Sequence, residues 1–193
     1  MTLLLRLSGL SMKSGRSVGR QMARAGVIGL VVTLAGCGST PPAPDWQIQA
    51  RDANLRATAA YLAGHDRVAD AEFARARREA ARSARPDALA RLLLAQCAAQ
   101  TAALSVTDCE AVLPLQADMG VPQQAYWRYL KGQPVPGDVE ALPATQQAVA
   151  RLLLAGATQA DPAAALPAGD ALSRLVAAAV LLRSGHGSPA VVV

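Results

Sequence analysis

Alanine occupies 43 of the 193 positions, while the whole chain has one Phe, two Trp and three Tyr. Strands draw on β-branched and aromatic side chains to cover a pleated surface, and a chain so poor in aromatics is a weak source of them. Alanine is the best helix former, and it lets helix backbones approach closely. The composition therefore favours closely packed helices over a β-sandwich, and the expected fold class is all-α.

Periodicity places the helices. From Asp45 to about Ala63 no proline interrupts, and Trp46, Ala50, Ala53, Ala57, Ala60 and Tyr61 recur at helical spacing, with Asp45 as the expected cap. Gly64 ends this helix, Asp66 is the expected cap of the next, and a second helix runs to about Ser83 through Ala69, Phe73, Ala76 and Ala80. Pro86 sits where a third helix opens, continuing through Leu89, Leu92, Leu93 and Ala99. The second half is expected to hold a short helix around Cys109 to Ala117, one from Pro122 through Lys131, one near Pro143 to Ala155, and one near Asp170 to Arg183. Leu152, Leu153, Leu154, Leu172, Leu175, Val176 and Leu181 supply their apolar faces, and buried leucines stabilise by about 1.5–3 kcal/mol each. Ser188 and Pro189 look like a cap and a first helical turn, yet only Ala190 to Val193 follow. Either the reading frame is truncated or the tail folds back onto the core.

Helix, short turn, helix, short turn, helix is the pattern of an array of antiparallel helical hairpins. Gly64, Ala69, Phe73 and Ala76 have the spacing of the turn glycine, the two small residues and the aromatic of the tetratricopeptide repeat, which this stretch resembles. Tyr61-Leu62-Ala63-Gly64 also echoes Tyr129-Leu130-Lys131-Gly132 at an offset of 68, twice the 34-residue repeat. Ala53 and Arg56 replace the first-helix Trp and Leu of the family pattern, Ala81 stands at the closing Pro, and Pro134, Pro136 and Gly137 interrupt the second copy. The resemblance implies a tetratricopeptide-like stack, a fold whose concave face serves protein interaction.

The first 36 residues read differently. Arg6, Lys13, Arg16, Arg20 and Arg24 precede an uncharged, largely apolar run from Ala25 to Ala35, too short to span a bilayer, which needs about 20 residues. Leu34-Ala35-Gly36-Cys37 resembles the lipobox of bacterial lipoproteins. The resemblance implies signal-peptidase recognition at Leu34, Ala35 and Gly36, cleavage before Cys37, and a diacylglycerol and an N-acyl chain on Cys37. No other cofactor is expected. Gly38, rather than Asp, follows the cysteine. In Gram-negative lipoproteins that implies transfer to the outer membrane, on its periplasmic face. The competing reading is a cytosolic chain with a buried N-terminal helix, or an ordinary signal peptide in which Cys37 is incidental. Met12 and Met22 are alternative starts to Met1, and either keeps the apolar run. The expected organisation is thus a cleaved signal peptide over 1–36, a lipidated, proline-rich tether over 37–44, and a helical domain over 45–193.

Cleavage changes the charge balance. All five basic residues of the first 36 leave with them, so the chain from Cys37 onward has 14 basic and 14 acidic residues. Its net charge is zero, and nucleic-acid binding is not expected. Cys97 and Cys109 are then an even pair in an oxidising periplasm, which favours a structural disulfide worth about 3 kcal/mol. The alternatives are two free thiols, or a redox or metal site. However, His65 and His186 are the only histidines, and no C-x-x-C occurs. Both histidines look like solvent-exposed turn residues. The chain has no G-x-S-x-G, H-E-x-x-H, Walker A or G-x-G-x-x-G motif, so neither catalytic nor metal-ligating residues are assigned.

Two features bear on binding. Arg75, Arg78 and Arg82, with Arg85, lie along one helical face that could meet anionic headgroups or cell-wall polymers, although Glu72 and Glu79 favour a solvated, self-paired face. Tyr126-Trp127-Arg128-Tyr129 holds three of the six aromatics in residue types typical of interface anchors, although packing between helices is the stronger expectation here. The function expected is that of a non-catalytic interaction scaffold for envelope proteins, membrane-bound through its lipid. The alternative is a periplasmic accessory domain or enzyme acting on the cell wall.

Overall fold

The computed structural model describes residues 42–105, 108–156 and 161–187. Cys37, Leu34, Ala35 and Gly36, the three possible starts and the tail from Ser188 lie outside the described residues. Among the described residues the protein is all-helical. Six α-helices, α1 (Asp45–Leu62), α2 (Asp66–Ala81), α3 (Pro86–Ala102), α4 (Val121–Leu130), α5 (Ala144–Ala155) and α6 (Ala171–Arg183), are joined by three 3-10 helices at Glu110–Asp118, Val139–Ala141 and Pro162–Ala165.

The helix ends show why the chain turns where it does. α1 ends with Gly64 at φ +75°, with Gly64 N donating to Tyr61 O and His65 N to Ala60 O. This is the Schellman arrangement, in which a left-handed residue turns the last amides back onto free carbonyls. It recurs at Gly132 after α4 and Gly185 after α6, and at Leu104 after α3, where a leucine takes φ +58°. The echo between Tyr61–Gly64 and Tyr129–Gly132 is therefore the same helix-ending turn, used after α1 and after α4.

The helix starts differ from expectation. Pro44 occupies the cap position of α1 and His65 that of α2, so Asp45 and Asp66 lie one residue inside and make no side-chain cap bond. Asp170 does cap α6, accepting from Ser173 N at 2.8 Å. The segment expected as a short helix from Cys109 to Ala117 is a 3-10 helix, interrupted by Pro114, which has no N–H and crowds an α-helical turn.

Packing divides into two clusters. α1 and α2 meet through alanines: Ala57 and Ala69 pack with Phe73 and with Ala99 of α3, and the Tyr61 ring meets Phe73 edge-on at 6.5 Å. The larger core lies among α3, α4, α5, α6 and the first 3-10 helix, around Leu94, Val112, Tyr129, Leu130, Val149 and Val176. α3 is the shared element, packing on α1, α2, α4 and α6. The described residues form one compact unit, with its core and backbone hydrogen bonds internal to it. No helix among the described residues is long and apolar enough to cross a membrane.

Candidate functional site

On α1 the alanines face inward, and a second apolar stripe faces out. Ile48, Leu55 and Leu62 recur every seven residues and are 47%, 56% and 40% exposed. Leu55 and Leu62 form one wall of a groove of about 750 Å3, mostly apolar, that runs between α1 and α3 toward the starts of α4, α5 and α6. Leu94 and Ala98 of α3 lie along it, and Tyr126, Leu172 and Val176 close its far side. A set of leucines left this exposed costs free energy in water unless something covers it.

Polar groups beneath the groove are fixed. The Tyr129 hydroxyl donates to Gln146 Oε1 at 2.6 Å, and Gln146 Nε2 donates to Ser173 O at 3.1 Å. Tyr129 and Gln146 are both buried, so this chain ties α4, α5 and α6 together under the groove. Tyr126 stacks on Tyr129 at 6.2 Å, and burial pushes its phenol up to about 12. It therefore enters the groove as a neutral ring at physiological pH. Arg91 is the one charged residue in the lining of this groove. Asn54 Oδ1 is buried without a hydrogen-bond partner, at the point where the groove adjoins a smaller cavity of about 330 Å3.

The run Tyr126 to Tyr129 is split four ways by its helical spacing. Tyr126 lines the groove and Tyr129 is wholly buried. Trp127 lies under Lys131 Nζ, 4.8 Å from its ring centre, with Nε1 3.5 Å from Asp108 O. Arg128 grips Asp138 through both carboxylate oxygens, with Nε donating to Oδ2 at 2.8 Å. Val135 N adds a further bond to the same carboxylate at 2.9 Å. The Arg128 guanidinium holds the Asp138 carboxyl below its ordinary range, helped by Val135 N and opposed by burial.

Arg75 and Arg78 on α2, and Arg82 at its C-terminal cap, are exposed. Arg82 pairs with Glu79 at 3.2 Å, but Glu72 pairs across to Arg56 of α1 at 2.9 Å, so the face is only partly self-paired. Cys97 and Cys109 are joined in a disulfide, with Cα atoms 5.5 Å apart, that fastens α3 to the first 3-10 helix. Both cysteines are buried. His65 is exposed, whereas His186 is half-buried, with Nδ1 2.8 Å from Ser184 O. Among the described residues no group of three or more His, Cys, Asp or Glu is placed to hold a metal ion.

Sequence reasoning missed the groove. Ile48, Leu55 and Leu62 at heptad spacing were the available signal, overshadowed by the alanine stripe of the same helix. Asn54 and Gln146 carry no local signal, because their roles depend on partners far along the chain. Comparison with protein-family models, curated proteins and solved structures finds no match to this chain.

Proposed function

We propose that the chain is an outer-membrane lipoprotein facing the periplasm, whose helices form a tetratricopeptide-like array of hairpins and act as a non-catalytic interaction scaffold. The groove beside Leu55 and Leu62 is the observation that carries the interaction reading. It takes an apolar peptide segment of an envelope protein. The three-residue link between α1 and α2 and the four-residue link between α2 and α3 support the hairpin reading. Leu34-Ala35-Gly36-Cys37 supports the anchor, and tethering raises the effective concentration of partners at the membrane.

Two measurements test this. Intact mass and fractionation of the cell-made protein beside Cys37→Ala decide the anchor: added lipid mass and release by the substitution are expected, and an unmodified soluble protein refutes it. A photo-crosslinking residue at position 55 decides the groove. It should capture a defined envelope protein that is lost on Leu62→Asp, while the same probe at exposed Arg151 captures none. Equal capture at both positions refutes the groove reading.

A further inference from the structure

Charge is unevenly placed over the chain from Cys37 onward. The stretch from Arg75 to Arg91 contains six arginines against Glu79 and Asp87, whereas the rest of the chain from Cys37 onward has eight basic and twelve acidic residues. The fold brings this stretch to one particular end. The cavity of about 330 Å3 beside Asn54 is lined by Trp46 and Arg51 from the start of α1, and by Arg85 and Arg91 from the loop before α3 and its first turns. The helix that follows the tether therefore begins against the basic end of α2 and α3.

The arginines there converge. Arg85 donates to both oxygens of Asp87, from Nε at 3.3 Å and from Nη2 at 3.0 Å, and Arg91 Nη2 lies 3.5 Å from the same Oδ2. The Arg85 guanidinium, with Arg91 behind it, holds the Asp87 carboxyl below its ordinary range. One carboxylate thus orients two guanidiniums and leaves a net positive charge. Arg51 and Arg78 form no ion pair among the described residues. Planar guanidiniums match the oxygens of a phosphate, and Trp46 is the aromatic type enriched at membrane interfaces.

We infer that Arg51, Arg85 and Arg91, with Trp46 beside them, form a seat for the headgroup phosphate of an anionic phospholipid in the membrane that carries the anchor. The location favours a membrane over a soluble anion. Asp45 follows Cys37 by eight residue steps, so even a fully extended tether keeps the start of α1 within about 27 Å of the lipidated residue. The inference rests on the anchored reading above for its geometry. Seating the basic end on the membrane points the opposite ends of the helices away from it.

The test uses the mature chain from residue 37 to 193 carrying Cys37→Ala, so that no acyl group contributes and the result is independent of the anchor measurement. The probe is vesicles of phosphatidylcholine alone, or with about a third phosphatidylglycerol, in a sedimentation assay at low and high salt. Binding to anionic vesicles alone is expected, weakening as salt rises. Arg51→Gln/Arg85→Gln/Arg91→Gln should lower it by about fivefold for each arginine removed, or about a hundredfold in all. The matching Lys variants, which keep the charge but lose the planar fork, should bind between the Gln variant and the parent, whereas Arg67→Gln/Arg151→Gln/Arg174→Gln, which removes the same charge elsewhere, should bind as the parent does. Equal binding to neutral vesicles, equal loss in the second Gln variant, or Lys variants that bind as the parent does overturns the inference. Binding of inorganic phosphate without vesicles as tightly as the anionic vesicles bind, and lost in the same Gln variant, also overturns it, since that identifies a soluble-anion site.

Discussion

Opening the Cys97–Cys109 bond should cost this protein a definite and separable amount of stability. The two residues are 12 apart in sequence, and closing a loop of that size removes about 10 cal/mol/K of entropy from the unfolded chain. At 25 °C this is about 3 kcal/mol, which for a chain of this length corresponds to a fall in Tm of about 6–12 °C. The comparison that isolates the cross-link is oxidised against reduced wild type, each refolded from urea, because both keep the sulfur atoms packed in the core. A second step isolates the backbone. Cys109 sits at φ 57°, a left-handed conformation that costs a non-glycine residue about 1 kcal/mol or more. Cys97→Ala/Cys109→Gly should therefore be more stable than Cys97→Ala/Cys109→Ala by about 1 kcal/mol. Equal urea midpoints for oxidised and reduced protein would refute the cross-link argument. An alanine variant as stable as the glycine variant would refute the backbone argument.

Asp138→Asn should destabilise the protein by about 2 kcal/mol at pH 7, the range for hydrogen bonds to a charged group, since Arg128 keeps part of its surface in water. The Asp138 carboxyl is held lower in the folded state than in the unfolded chain, so its contribution is complete above the unfolded value of about 3.9 and is lost as pH falls through the folded one. The gap between parent and variant in urea titrations should close in acid, and a gap that stays constant with pH would count against the pair. Two glycines with the same backbone form a matched test. At Gly64 an added Cβ meets open space, whereas at Gly132 it would overlap Ser184 Oγ. Gly64→Ala should cost about 1 kcal/mol from its positive φ alone, and Gly132→Ala distinctly more, with partial recovery in Gly132→Ala/Ser184→Ala. Equal costs, read from thermal melts, would show that no close approach exists at Gly132.

The helices were legible because their signals are local. Pro86 opens α3 and Asp170 caps α6, and both boundaries follow from chemistry confined to one turn. Leu104 shows where such reasoning stops, since it holds the left-handed position that glycine fills after α1, α4 and α6. Its conformation closes the turn after α3 through Leu104 N to Thr101 O and Ser105 N to Gln100 O, and its residue type does not reveal it. The 3-10 helices at Val139–Ala141 and Pro162–Ala165 were too short to leave a period. The site was less legible than the fold. Leu55 was readable in principle from its spacing to Ile48 and Leu62, but Gln146 matters through Tyr129 and Ser173, 17 and 27 residues away. Likewise the expected pairing of Glu72 with Arg75 gave way to Arg56, a residue on another helix.

The contact that joins the α1–α2 pair to the rest of the helices has a mechanical consequence. It runs through small side chains such as Ala99 of α3, which bury little area, so the pair is held to the body less firmly than the disulfide-stapled core of α3 to α6 is held together. A pull entering from the N-terminal side reaches α1 first. The pair should then peel away as a unit while the remaining helices stay folded. Straightening the chain from Asp45 to Ala81 would release on the order of 100 Å of slack, so the weakest interface doubles as a shock absorber for the body behind it.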